Sequence, residues 1–213
     1  GAGGTIAKLT REGKIVTYCV LTNGNKGSGD RTMTPERLAQ IREEEQKNAA
    51  RVLGVDTVDF LGFPDGELED TRESRMAVSA AIRRHRPDLV ICQNPHRTKN
   101  PRASPRDHRT AAGIAIVCVY PLARDHMAFP ELMAQGLEPH KVKEVHLMWW
   151  DTPEVIVDIS ETIDLKIKAL QCHASQFKDF PAVEKRVRDR NAELGKPHGL
   201  PYAETFDRIV LER

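Results

Sequence analysis

The 213 residues carry 32 basic and 31 acidic side chains, a net charge of +1, with 39% hydrophobic and 30% charged residues. That length is enough for one domain with a buried core, and the balanced charge provides no long-range field for nucleic acid or an anionic membrane. Aromatic residues make up only 5%, too few for a base-stacking surface, and no apolar run approaches the roughly 20 residues of a membrane helix.

In chain order, residues 5–11 read as a short helix ended by Gly13. Residues 15–21 (IVTYCVL) form a β-branched, apolar run that suits a strand buried on both faces. A Gly/Asn loop follows over 22–30. A long helix is expected over 35–53, with Thr34 as its cap, Pro35 in its first turn and Gly54 just beyond its end. Residues 57–61 suggest a second strand and Phe63-Pro64-Asp65-Gly66 a turn. Asp70 and Glu73 resemble a capping pair for a helix to Arg86, stopped by Pro87. Leu89 to Cys92 (LVIC) reads as a third short buried strand, running into the polar stretch 93–106, and a helix is expected over 107–119. Strands over 145–150 and 154–159, a helix from Ser160 to about His173 and a solvated basic helix over 183–190 complete the pattern.

Helices alternating with short apolar strands predict an α/β, Rossmann-like, mostly parallel sheet flanked by helices, in a single domain over 1–213. Ligands in such sheets sit beyond the carboxyl ends of the strands, which points to the loops 22–30, 62–69 and 93–108. The four cysteines, Cys19, Cys92, Cys118 and Cys172, are far apart in apolar or helical stretches. This is the pattern of buried reduced thiols rather than a disulfide framework, and with no signal peptide visible it gives an expected cytoplasmic location. Because the chain opens at Gly1 in what reads as a loop entering a helix, the natural N-terminus is expected upstream.

The densest polar cluster runs through Asn94, His96, Arg97, Arg102, Arg106, Asp107, His108 and Arg109. His108 beside Asp107 suits a metal ligand with a carboxylate neighbour, or an acid/base pair. The alternative is that Asp107 merely caps the helix, and the four arginines suit an anion.

Several segments taken together resemble the PIG-L/LmbE-like de-N-acetylases: Gly1-Ala-Gly-Gly-Thr-Ile-Ala7, the loop from Thr22 to Gly27, Arg42-Glu-Glu-Glu45, Leu61-Gly-Phe-Pro-Asp-Gly-Glu-Leu68, Arg106-Asp-His-Arg109, Ala169-Leu-Gln-Cys-His-Ala-Ser-Gln176 and Tyr202-Ala-Glu-Thr-Phe206. They follow the family's order along nearly the whole chain. The resemblance implies a metal-dependent amidohydrolase that removes an N-acetyl group from an amino-sugar conjugate or similar small molecule. Its zinc ion is held by the His and second Asp of a His-Pro-Asp-Asp motif and by the last His of a His-x-Asp-His motif, here His108. Zinc lowers the pKa of a bound water and polarises the acetamide carbonyl.

Asp107, the catalytic carboxylate of this set, is implied to orient a histidine. Arg42, Asp65, Asn25 and Lys26 are implied to border the substrate pocket, with Arg106 and His173 as further substrate-binding candidates. Plainer readings stand beside these: a surface ion pair for Arg42, a turn residue for Asp65, and a helix C-terminal charge for His173 and His85. His126, His140, His146 and His198 are expected to be structural or exposed. Trp149 and Trp150 are expected to pack the core edge or stack on a sugar.

Two departures from the family pattern stand out. No His-Pro-Asp-Asp motif occurs in the sequence, and Pro105 stands where the family's first His of His-x-Asp-His would be. The first core strand is expected to be missing with that motif, and residues 1–213 taken alone are expected to be inactive. His96, Arg106 and His173 are candidates for the role of the replaced His. A different class of function, a non-catalytic sugar- or anion-binding protein on the same fold, fits the loss at position 105. A homo-oligomer is compatible with the family.

Overall fold

The structure, a computed structural model, describes residues 1–96, 105–148 and 153–211. The elements in chain order are α1 (Gly3–Arg11), β1 (Thr17–Thr22), α2 (Pro35–Val52), β2 (Thr57–Phe63), α3 (Arg72–His85), β3 (Leu89–Gln93), α4 (Arg106–Val117), α5 (Pro130–Ala134), β4 (Glu144–Met148), β5 (Val155–Asp158), α6 (Ile163–Gln171), α7 (Phe180–Gly195) and β6 (Ala203–Val210). The chain divides into two compact units, one of residues 1–65 with 155–205 and one of residues 66–154 with those from 206 on.

In the first unit β1 pairs in parallel with β2, Thr17 opposite Thr57 and Val20 opposite Phe60. A register shift between Val20 and Thr22 coincides with Gly62, whose φ of +78° supplies the turn that an extra residue demands. Helix α2 begins as its sequence dictates: the Thr34 side chain accepts from the Arg37 N–H at 3.2 Å, and Pro35 occupies the first turn. Its buried face, Leu38, Ala49 and Ala50, joins Ile6 and Ala7 of α1 and Ile163 and Ile167 of α6 in one apolar core. A Cβ on Gly4 would come within 2.8 Å of Ile159, so α1 reaches that strand end only because residue 4 has no side chain.

This unit also buries charge. The Glu204 carboxylate, 3% exposed, accepts from the Gly4 and Thr5 N–H groups at 3.0 and 2.7 Å and from Lys166 Nζ at 2.7 Å. Burial alone would raise the Glu204 carboxyl, but the Lys166 ammonium and the amides at the start of α1 hold it below the usual carboxylate range. Asn191 accepts a further bond from Lys166 at 3.1 Å.

In the second unit β3 pairs in parallel with β4 (Leu89 opposite Glu144, Gln93 opposite Met148), and β4 pairs antiparallel with the latter part of β6 (Met148 opposite Phe206). Val145, Leu147, Phe206, Val78, Ile82 and Ile114 form its core. Arg83, 2% exposed, donates through Nε and Nη2 to the Ala123, Leu122, Asp125 and Ala128 carbonyls at 2.7 to 3.2 Å. One guanidinium therefore satisfies the backbone of a segment that has little regular structure to do so itself.

The elements follow the expected α/β alternation, with several corrections. The first strand starts at Thr17, leaving Ile15 98% exposed. Strands β1 and β3 are half-buried rather than fully buried, and Cys19 on β1 is exposed. Each has a single paired neighbour among the described strands. The cap of α3 is Thr71 in a reciprocal pair with Ser74, because Asp70 is engaged by Arg75. Thr162 rather than Ser160 precedes α6, since Ser160 closes a turn on Asp158 at 2.6 Å. Helix α7 is longer than expected, and α5 and β6 were not anticipated as elements. No cysteine is disulfide-bonded; burial pushes the Cys92 thiol up to about 12 and Cys118 to about 11. Among the described residues no helix is long and apolar enough to cross a membrane.

Candidate functional site

The candidate residues fall into two groups, one in each unit. In the first, the loop after β1 is fastened to α2 by Arg42. Its Nη1 donates to the Gly24 carbonyl at 2.6 Å and the Lys26 carbonyl at 2.7 Å, and lies 3.7 Å from Asp65 Oδ2. Gly24 has φ +66°, and a Cβ there would press on Arg42 Cδ at 2.8 Å, so this close approach requires glycine. Asn25 Oδ1 accepts from the Asp65 N–H at 3.0 Å, tying the same loop to the end of β2. Arg42, Asn25, Lys26 and Asp65 are thus brought together around one loop, with Arg42 Nε buried and unpartnered among the described residues. A shallow depression of about 290 Å³ lies alongside, lined by Asn25, Lys26, Ser28, Arg31, Met33 and Leu38 among others.

His173 is also in this unit, just after α6. Burial pushes its pKa below the ordinary 6.5, with Glu45 opposing the shift, so the imidazole is neutral at pH 7. Its Nδ1 is buried with no partner among the described residues. Glu45, itself buried, takes the Ser175 N–H at 2.6 Å and the Ser175 hydroxyl at 2.7 Å, fixing the turn that follows.

In the second unit the group stands where β3 ends and α4 begins. Pro105 precedes α4 and no side chain caps it, so Asp107 is not a cap. Instead Asp107 Oδ2 accepts from the Gly66 N–H at 2.6 Å, while Arg106 Nη1 donates to the Gly66 carbonyl at 3.3 Å. Consecutive residues of α4 thereby hold both polar groups of one glycine, whose φ of +78° belongs to the Pro64-Asp65-Gly66 turn. Arg106 is half-exposed and also 3.7 Å from Glu69. The other Asp107 oxygen, Oδ1, is buried and has no hydrogen-bond partner among the described residues. His108 is exposed, with Nδ1 3.0 Å from Gln93 Nε2. The resemblance leads one to expect a histidine beside Asp107; the structure places a backbone N–H there, and an amide beside His108.

Gln93 was not among the expected site residues. The available signal was a polar amide closing the apolar run Leu89-Val-Ile-Cys92 at the carboxyl end of a strand. His96, exposed, donates its N–H to Asn94 Oδ1 at 2.8 Å. His140 and His146 are engaged with the Pro87 carbonyl and Glu144, and His85 lies in the last turn of α3. Arg97, Arg102, Trp149 and Trp150 lie outside the described residues. Among the described residues no group of three or more His, Cys, Asp or Glu is placed to hold a metal ion. His108 can supply one donor of a zinc centre, but these residues do not complete one.

Comparison with known proteins bears on these groups. The family model described as PIG-L, GlcNAc-PI de-N-acetylase, matches residues 1–119. A diacetylchitobiose deacetylase of Thermococcus kodakarensis is 36% identical over 206 residues, covering 96% of this chain and 76% of that protein. The solved N,N'-diacetylchitobiose deacetylase of Pyrococcus horikoshii, in complex with its inhibitor MPG, superposes with a TM-score of 0.90 at 32% identity, covering 99% of this chain and 78% of that one. A 4-oxalmesaconate hydratase of Pseudomonas putida is 25% identical over 98% of this chain and 83% of its own length. The match spans both the Arg42 loop and the turn into α4, and this chain therefore belongs to the PIG-L family of LmbE-like proteins.

Proposed function

We propose that the protein is a zinc-dependent amidohydrolase that removes the N-acetyl group from an amino-sugar conjugate. The observation that carries this reading is the pair Asp107–His108 where β3 runs into α4. One carboxylate oxygen there is committed to Gly66 while the other is buried without a hydrogen bond among the described residues, 3.8 Å from Arg106 Nη1 and beside an exposed imidazole. Buried oxygens are rarely left unpaired unless a ligand, ion or water completes them. Family membership and the deacetylases among its relatives support the same reaction.

In this reading His108 is the metal donor and Asp107 the carboxylate that works beside it. Arg42, Asp65, Asn25, Lys26, Arg106 and His173 are the substrate-side residues. Zinc is the metal the family resemblance implies; since the described residues do not complete its site, no chemical step is derived through it. What these residues do by themselves is more limited. Asp107 and Arg106 fix the Gly66 peptide, and Arg42 fixes the loop backbone that borders the depression. His173, its pKa held below the ordinary imidazole value by burial, carries no charge of its own at pH 7. The reading further takes residues 1–213 as one de-N-acetylase-like domain, cytoplasmic, without a nucleic-acid partner or a membrane span and compatible with a homo-oligomer.

The test is incubation of the full gene product, supplied with zinc, with an N-acetylglucosamine oligosaccharide, following free acetate and free amine together. Stoichiometric release of both is expected. Retention of the sugar without acetate would favour the binding-protein reading. Hydration of an unsaturated acid without acetate release would place the chain with its hydratase relative.

A further inference from the structure

We propose that the loop between β1 and α2 is an oxyanion subsite, receiving a carboxylate or phosphate group that the substrate carries away from its acetamide. The assignment to substrate rests on the amidohydrolase reading given above, to which it adds the charge of the conjugate. Arg42 sets the direction of the loop peptides, because its Nη1 draws the Gly24 and Lys26 carbonyls towards α2. In a planar trans peptide the C=O and the following N–H point opposite ways, so the Asn25 and Gly27 N–H groups face away from the guanidinium. Asn23 Oδ1 takes the Asn25 N–H at 3.2 Å. The Gly27 N–H, like that of Gly29, donates to no backbone carbonyl among the described residues. Gly24 and Gly27 hold φ of +66° and +89°, the left-handed conformation that builds the N–H concavities in which backbones bind anions.

The side chains around these amides carry matching charge. Lys26 and Arg31 line the depression of about 290 Å³ together with Gly27 and Ser28. Lys178 flanks the loop from the turn after α6: a Cβ on Gly29 would lie 3.9 Å from its Nζ. Asp30 is the acidic residue of the lining, and its carboxylate is turned onto Thr32, accepting from the N–H at 2.8 Å and the hydroxyl at 2.7 Å. Three cations against one carboxylate already bonded elsewhere, beside outward-facing amides, favour a compact anion over a neutral group.

The experiment is a titration of the full gene product with inorganic phosphate, against sodium chloride at matched ionic strength. Carbonyl-13C lysine and serine with 15N-glycine single out the Gly27 and Gly29 amides, the two glycines of this sequence that follow those residues. Both are expected to shift saturably with phosphate and not with chloride. The exposed pair Arg31→Gln with Lys178→Gln should weaken binding about tenfold, roughly threefold for each charge. Unmoved amides, or equal binding by the double variant, overturn the subsite, and the wild-type titration decides alone if that variant does not fold. Acetate release from the 1-phosphate, the carboxymethyl glycoside and the methyl glycoside of N-acetylglucosamine then tests the assignment to substrate. One of the anionic sugars is expected to exceed the neutral one in kcat/KM by that same factor, and the ratio to fall in the double variant. Phosphate binding with all three sugars turned over alike overturns the assignment and leaves a site for a free anion. Acetate release with unmoved amides sinks the subsite and keeps the deacetylase, whereas shifted amides without release from any sugar do the reverse.

Discussion

Glu204 in the first unit and Asp107 in the second are both carboxylates withdrawn from water, 3% and 6% exposed. Glu204 has both oxygens engaged, by two amides of α1 and by Lys166. Asp107 has one oxygen on Gly66 and one that makes no hydrogen bond among the described residues, with Arg106 Nη1 3.8 Å away. Glu204 resembles Glu45, whose two oxygens are spent on Ser175. The difference separates structural from poised charge: a buried carboxylate with all its bonds made holds elements together, whereas one half-satisfied has capacity left for something that binds.

The largest expected effect breaks the fully paired side. Glu204→Ala leaves the Lys166 ammonium, 9% exposed, without its counter-charge and with the neutral Asn191 side chain and Gly1 carbonyl as acceptors, and removes the anion from the start of α1. Chemical denaturation should show a loss of about 3–5 kcal/mol, and a loss below about 1 kcal/mol would show that Lys166 finds water or another partner. Asp107→Asn should do the opposite. The Gly66 bond survives in weaker form, so stability should fall by no more than about 1.5 kcal/mol. Deacetylase activity should drop about 10–100-fold, the usual cost of disturbing groups that support a metal ligand. Equal damage to stability and activity would make Asp107 a structural carboxylate like Glu204.

Arg42→Lys tests the loop. An ammonium cannot reproduce the fork that meets two carbonyls and lies near Asp65. We expect a loss of about 1 kcal/mol, with the change in turnover falling mainly on KM; an unchanged KM would remove this loop from the substrate side. The smallest effect concerns His173. Its folded-state pKa is depressed below 6.5, chiefly by burial. Above that value both folded and unfolded rings are neutral and it contributes nothing to the pH dependence. Below it the unfolded chain takes the proton first, so stability falls as pH falls. His173→Gln should therefore flatten the decline of the denaturation midpoint from pH 7 towards 5, and an unaltered slope would show that the ring titrates normally.

Local rules made much of the fold legible. Thr34, Pro35 and Gly54 bracket α2 closely, and Pro87 halts α3 just after Arg86 adopts φ +49°. What failed depended on distant partners. Asp70 looked like a cap until Arg75 claimed it, and β6 mixes charged and apolar residues so evenly that its pairing with β4 was needed to define it. Arg83 sits in the basic run Arg83-Arg84-His85-Arg86 at a helix end, and carbonyls some forty residues along the chain draw it inside. The motif around Asp107 and His108 was visible as residue types. Which oxygen was paired, and that Gln93 rather than Asp107 met the imidazole, depended on how β3, α4 and the Gly66 turn are placed in three dimensions.

The central claim is that the end of β3 and the start of α4 form the working part of a deacetylase. Its most direct test is acetate release by His108→Ala of the full gene product, beside a denaturation curve of the same preparation. Because His108 is exposed, the variant should keep wild-type stability to within about 0.5 kcal/mol and release no acetate above background. A His108→Ala protein that folds normally and deacetylates at the wild-type rate would contradict the account.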